Sequence, residues 1–200
     1  MKKISKCKNY YVFDSVEEVI EKVDVESYRN NFLIDYPYVG WSDFIEEDFI
    51  TILKYFGFEE IETCWDVSYS QGSGASFIAE WYSDDMDLNK LKEYAPEDKE
   101  LNEISEKLEN LAAGEKEFYY ARIKRFNHHY CHQNTVESEC YDEEDNRLYD
   151  VDREFDDVVY DLSTWFFNKL QTEFDYLLSD KGIAEYIVAN EIEIPEEYLK

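Results

Sequence analysis

Residues 136–157 read VESECYDEEDNRLYDVDREFDD, and the way this stretch is parsed decides the fold. It sets eleven carboxylates against only Arg147 and Arg153, a density that on its own would suit a disordered acidic tail. Such a tail, however, has few aromatics and no apolar period. Here Tyr141, Leu148, Tyr149, Val151 and Phe155 are interleaved with the acids. From Val151 onward, Phe155, Val158, Val159, Leu162, Trp165, Phe166, Leu170, Phe174 and Leu177 hold helical spacing, which predicts an amphipathic helix roughly 40 Å long. Asp157, Asp161, Thr164, Asn168, Gln171 and Asp175 collect on its other face. The stretch is therefore the junction where a sheet strand passes into a long C-terminal helix, with its charge on a rigid support.

Working outward, the remaining segments alternate between helical and strand-like patterns. Val16, Val19, Ile20 and Val23 predict a helix opened by a Ser15/Glu18 capping box and extending through Tyr28 and Arg29. Residues 32–40, FLIDYPYVG, read as irregular because Pro37 disfavours helix at Tyr36. Asp43, with Glu46 three residues on, predicts a second N-cap, followed by one apolar face of Phe44, Ile45, Phe49, Ile52, Leu53 and Phe56 that ends at Gly57. Alternation over 61–69 and again over 75–82, joined by Ser70-Gln71-Gly72-Ser73-Gly74, predicts a hairpin. Residues 84–92 are polar. A helix is then expected from Pro96, with Leu101, Ile104, Leu108 and Leu111 on one stripe and Gly114 at its end. Segments 117–126 and 129–140 form a second strand pair, Lys181 to Ala189 a short helix, and an extended tail contains Pro195.

The expected fold is α+β: an antiparallel sheet of about four strands in two hairpins, packed with helices that include the long C-terminal one. Residues 1–200 read as a single domain, with 1–13 as a basic leader, since no Pro- or Ser-rich linker divides the chain. The leader lysines are not followed by an apolar segment, so no export signal is expected, and no apolar run reaches membrane-spanning length. Cys7, Cys64, Cys131 and Cys140 lack C-x-x-C spacing and read as reduced cytoplasmic thiols, although Cys131 and Cys140 could face one another across a hairpin.

Composition narrows function more than any motif does. With 48 acids against 20 Lys and Arg, the net charge is −28, which opposes direct binding to nucleic acid or to anionic lipid. Aromatics make up 18% of the chain, as a folded protein requires. The Gln71–Gly74 turn lacks the Gly-Lys-Ser/Thr ending of a phosphate loop, and Ser73 is not set in G-x-S-x-G. His128, His129, Cys131 and His132 form the one dense group of metal-capable side chains, but strand alternation would split them between two faces. Asp142-Glu143-Glu144-Asp145-Asn146 lacks the ligand spacing and central glycine of an EF-hand loop. No cofactor is expected. Among so many carboxylates no catalytic pair stands out.

Three stretches carry a resemblance: Trp65 to Phe77 (WDVSYSQGSGASF), His128 to His132 (HHYCH) and Tyr186 to Ile194 (YIVANEIEI). Together they resemble a group of small phage- and prophage-borne proteins with an S-Q-G-x-G-x-x-F hairpin, a later H-Y-x-H strand and an A-N-E-x-x-F-like tail. Ser73 stands where that pattern has an acid, and Ile194 where it has Phe. The resemblance implies origin in a virus or mobile element and implies no activity. In overall composition the chain also looks like the DNA-mimic inhibitors that phages direct at restriction enzymes and CRISPR effectors.

The expectation is thus a non-enzymatic inhibitor in the host cytoplasm whose partner is a basic, nucleic-acid-binding host protein. Asp142, Glu143, Glu144, Asp145, Asp150, Asp152, Asp157 and Asp161 would form the contact surface, with Tyr141, Tyr149 and Tyr160 adding apolar contact. Homodimerisation stays open. The alternative is a metal-dependent enzyme or small-ligand-binding protein centred on the Gln71 turn and His129–His132.

Overall fold

The fold is α+β. The computed structural model describes residues 2–3, 9–32, 39–68, 72–114, 118–125 and 130–200. Its contacts divide the chain into two compact units, Ser42–Gln171 and a second formed by Met1–Trp41 with Thr172–Lys200.

The larger unit is built on a four-stranded antiparallel sheet of order β3-β4-β5-β6, with β3 Phe58–Asp66, β4 Gly74–Tyr82, β5 Tyr120–Arg125 and β6 Val136–Tyr141. These are the two expected hairpins, side by side. Alternation along β4 points Ala75, Phe77, Ala79 and Trp81 into the core. There they meet α3 (Asp43–Tyr55) and α6 (Tyr149–Leu178). The Phe49 ring stacks on Phe166 at 4.2 Å, Trp81 lies 5.3 Å from Phe155, and the Trp81 indole N–H donates to the Phe56 carbonyl at 2.8 Å. Burying rings this large supplies most of the hydrophobic stabilisation, and the indole bond removes the one polar cost of burying Trp81. Gly57 follows α3 at φ +87°, the left-handed position that lets the helix stop and β3 begin.

Two helices connect β4 to β5. α4 (Leu88–Tyr94), capped by Asp87, falls in the stretch expected only to be polar. α5 (Lys99–Ala112) starts at Asp98 rather than at Pro96, because the Asp98 carboxylate accepts from the Leu101 N–H. That carboxylate also accepts from the Trp165 indole N–H at 3.0 Å and from Lys169, which ties the start of α5 to α6. Burial works the other way, but these donors together hold the Asp98 carboxyl below the usual range.

The other unit joins β2 (Tyr10–Val12), placed by its sequence in the basic leader, to β1 (Lys2–Lys3) and β7 (Ile194–Pro195) in a three-stranded sheet. The sequence pattern did not predict this sheet. The single first helix becomes α1 (Val16–Lys22) and α2 (Val25–Phe32), divided at Asp24, whose carboxylate accepts from the Ser27 N–H and restarts the helix. Ser15 caps α1 as expected. Phe13, Val19, Val23, Tyr28, Ile183 and Ile187, the last two from α7 (Asp180–Ala189), make a separate core. α6 contributes residues through Gln171 to the larger unit and its last turns, from Thr172, to this one.

Further expectations are corrected. Phe44 is 79% exposed and lies off the apolar face of α3, and Ser42 rather than Asp43 occupies the N-cap position. The segment 130–135 does not prolong β6: it is loop and a 3-10 turn, and the strand begins at Val136. That segment lies against the hairpin turn so closely that a Cβ on Gly74 would sit 2.5 Å from the Cα of His132. The crossing brings Cys131 beside Cys64, with Cα atoms 5.2 Å apart, and the two form a disulfide instead of standing as free thiols. Cys140 is a buried free thiol on β6, facing Ala121 and not Cys131. Residues 33–38, Tyr69–Gln71, Glu115–Glu117, residues 126–129 and Cys7, on which several expectations fell, lie outside the described residues.

Candidate partner-binding surface

The acids of the opening stretch separate into two groups with different work. β6 is an edge strand, so its outward N–H groups need partners. Asp156 accepts from the Ser138 N–H at 2.7 Å, and Asp152 accepts from the Cys140 N–H at 2.8 Å. Four residues of helix rise about 6 Å and two residues of strand about 6.7 Å, so an i, i+4 pair of acids matches alternate edge amides. Arg147 then binds Asp152 at 3.0 Å and Glu139 at 2.8 Å, and its guanidinium stands 5.1 Å from the Tyr149 ring centre. Lys124 also pairs with Glu139, and this bond first, then Tyr141 and Arg147, holds the Glu139 carboxyl below its ordinary range against a smaller effect of burial. Asp152, assigned by sequence to a partner, is thus part of the joint between β6 and α6.

Asp156 faces the opposite balance. Burial raises its carboxyl above the usual range, with Asp152 and Glu137 adding repulsion, while the Ser138 N–H works against the rise. A carboxyl whose pKa rises on folding is destabilising when ionised, and that cost disappears as pH falls through the folded and then the unfolded pKa. Asp156→Asn keeps an acceptor for the Ser138 amide and loses the charge. It is expected to raise the melting temperature at pH 7, with the gain shrinking toward pH 4. Asp156→Ala also loses the charge but leaves the amide without its partner, and is expected to lose about 1–2 kcal/mol near pH 4 and less at pH 7, where relief of the buried charge offsets part of the loss, measurable by denaturant unfolding.

The second group faces away from β6. Asp150, Glu154, Asp157 and Asp161 follow one another at four-, three- and four-residue steps, which places them on one stripe of α6 about 16 Å long. Asp150, Glu154 and Asp157 are exposed, and Asp161 pairs with Lys107 of α5 at 2.6 Å. Tyr149 and Tyr160, 75% and 41% exposed, stand on the same helix. Glu154 was not among the residues selected from sequence, although its four-residue step from Asp150 was visible there.

Asp142, Glu143, Glu144 and Asp145 occupy the turn between β6 and α6. Asp142 spends its carboxylate on that turn, accepting from the Glu144 and Asn146 backbone amides and from the Asn146 side chain, and these bonds, the side-chain one first, keep its pKa low. Glu143, Glu144 and Asp145 are exposed. On the outer sheet face nearby, Tyr82, Tyr120 and Tyr141 form a row across β4, β5 and β6, the first pair tilted at 5.0 Å and the second stacked at 5.6 Å. Each hydroxyl donates to Glu80 or Glu139 of the adjoining row, so Tyr141 serves the sheet rather than projecting freely.

The histidine cluster does not assemble as a strand would have placed it. Cys131 is committed to the disulfide, the His132 Nδ1 accepts from the Asn134 N–H, and His128 and His129 lie outside the described residues. Among the described residues no group of three or more His, Cys, Asp and Glu could hold a metal ion. No described helix is long and apolar enough to cross a membrane.

The family model of a domain of unknown function (DUF8835) matches residues 41–180, which span the whole of the larger unit and all of α6. The chain belongs to this family. Comparison with curated proteins and with solved structures gave no match. The DUF8835 region therefore carries both acid groups, the edge-strand joint and the exposed stripe.

Proposed function

We propose that this DUF8835 protein is a non-enzymatic, phage-encoded inhibitor that acts in the host cytoplasm by occupying the nucleic-acid-binding surface of a basic host protein. The observation that carries this reading is the Asp150–Glu154–Asp157–Asp161 stripe, held at fixed spacing on a helix within a chain of net charge −28. Its linear density decides what kind of mimicry is meant. One carboxylate falls about every 5.5 Å of helix axis, whereas each DNA strand carries a phosphate every 3.4 Å or so. The stripe cannot replace phosphates one for one. It acts through the summed acidic field, which steers a Lys/Arg-lined groove onto the protein, and through local contacts that fix the register.

The test uses immobilised full-length protein and host lysate. Retained proteins are expected to be basic nucleic-acid binders that excess duplex DNA or RNA releases, and that lose their own nucleic-acid binding when the acidic protein is added. Retained proteins that neither DNA, RNA nor salt displaces would refute the proposal.

A further inference from the structure

Between α5 and α6 lies an open cavity of about 580 Å³ lined by Leu111, Val151 and Val158 together with Asp150, Glu154 and Asp157. Its size lies within the range of ligand-binding clefts. Two properties distinguish it from a merely charged surface. Its floor is apolar, and its α6 wall presents carboxylates at i, i+4 and i+7, over two turns of helix. The α5 wall supplies Lys107, already neutralised by its 2.6 Å bond to Asp161, and the uncharged Asn110 and Gly114. Among the described residues that line the groove, three carboxylates stand against the one lysine.

We infer that this groove docks a basic amphipathic helix of the partner protein, its apolar side chains on Leu111, Val151 and Val158 and its Lys or Arg residues against Asp150, Glu154 and Asp157. The assignment rests on the inhibitor reading above and specifies which part of the acidic surface gives it selectivity. Charge complementarity selects the occupant: a nucleic acid or an anionic lipid surface would be repelled, and a neutral apolar segment would desolvate the exposed Glu154 and Asp157 without offering them a cation. A helix suits a groove between two helices because its apolar residues recur every three or four positions on one side, in step with the carboxylates of α6. The apolar floor adds what screened charge lacks, a dependence on the order of residues in the partner and not only on their charge.

The experiment uses two synthetic Lys/Leu peptides of identical composition, one with its leucines on a single helical face and one scrambled. Each is titrated by fluorescence anisotropy into the full chain at 150 mM NaCl, and the Leu and Val methyl groups are followed by NMR. The amphipathic peptide is expected to bind at least roughly tenfold more tightly than the scrambled one, with shifts at Leu111, Val151 and Val158. Leu111→Gln should abolish that preference while leaving the scrambled peptide's affinity unchanged. Glu154→Gln, at an exposed position where folding is not at stake, should weaken the amphipathic peptide severalfold. Equal affinity for the two peptides, or methyl shifts elsewhere, overturns the groove assignment and leaves the acidic-inhibitor reading standing. Binding of neither peptide overturns both.

Discussion

The association rate with the basic partner is expected to fall at least roughly tenfold between 50 and 500 mM NaCl, measured by surface plasmon resonance once a partner is retained. Steering by a strongly charged surface raises association by about 10- to 1000-fold and is lost as salt shortens the screening length. With a net charge of −28, this chain has the field that such steering needs. Position can be separated from total charge. Glu154→Lys with Asp157→Lys reverses two carboxylates of the exposed stripe, whereas Glu17→Lys with Glu21→Lys reverses two exposed acids on α1, in the other unit. Both pairs change the net charge by the same amount. The α6 pair is expected to cost at least tenfold in affinity and the α1 pair a small part of that. Equal losses would reduce the effect to net charge alone, and a rate indifferent to salt would remove the electrostatic basis of the proposed function.

Asp161 is a poorer position for such a test than its sequence suggested. It is bonded to Lys107, so reversing it would also release a cation beside the groove and confuse loss of charge with loss of a helix–helix tie. The same difficulty applies to Asp152, whose removal would leave the Cys140 amide without its partner and Arg147 with Glu139 as its remaining ion pair.

These cases show where sequence alone stops. The long helix, the apolar stripe of α5 and both hairpins were legible because each announces itself locally, through apolar period or turn chemistry, whereas the Asp98 cap that starts α5 was passed over in favour of Pro96. α4 was not, since Leu88–Tyr94 spans only two turns and buries little beyond Leu91. The division of α1 from α2 was written in Asp24 and Ser27, a second cap hidden inside a continuing apolar period. The sorting of the acids could not be read at all. Asp152 and Asp150 differ only in which side of α6 they occupy, and which side meets β6 depends on how α6 packs on the sheet, a tertiary fact. The disulfide was illegible for a related reason: reading 129–140 as strand left Cys140 as the one partner considered for Cys131, when the chain instead crosses the hairpin turn toward Cys64.

Reducing that disulfide is expected to lower the stability of the Ser42–Gln171 unit by about 2–4 kcal/mol, and its melting temperature by roughly 5–15 °C. The cross-link joins residues 67 apart in sequence, a long closed loop in the unfolded chain, and the entropy it removes from that state grows with loop length. In the folded state it fixes the segment carrying Tyr130 and His132 against the Gly72–Gly74 turn, where a Cβ on either glycine would collide with one of those residues. Melting with and without a thiol reductant measures the effect, and Cys64→Ser with Cys131→Ser should reproduce the reduced protein and lose all further response to reductant. Identical melting of the two forms would mean that the pair contributes nothing to the fold. The outcome also bears on the proposed place of action, because cytoplasmic thiols are kept reduced. An inhibitor working there must fold without the bond, and the Phe49, Phe77, Trp81, Phe155 and Phe166 core lies in the same unit to sustain it. A reduced form that still melts cooperatively above growth temperature agrees with cytoplasmic action, whereas one that unfolds outright would require the protein to work in an oxidising compartment.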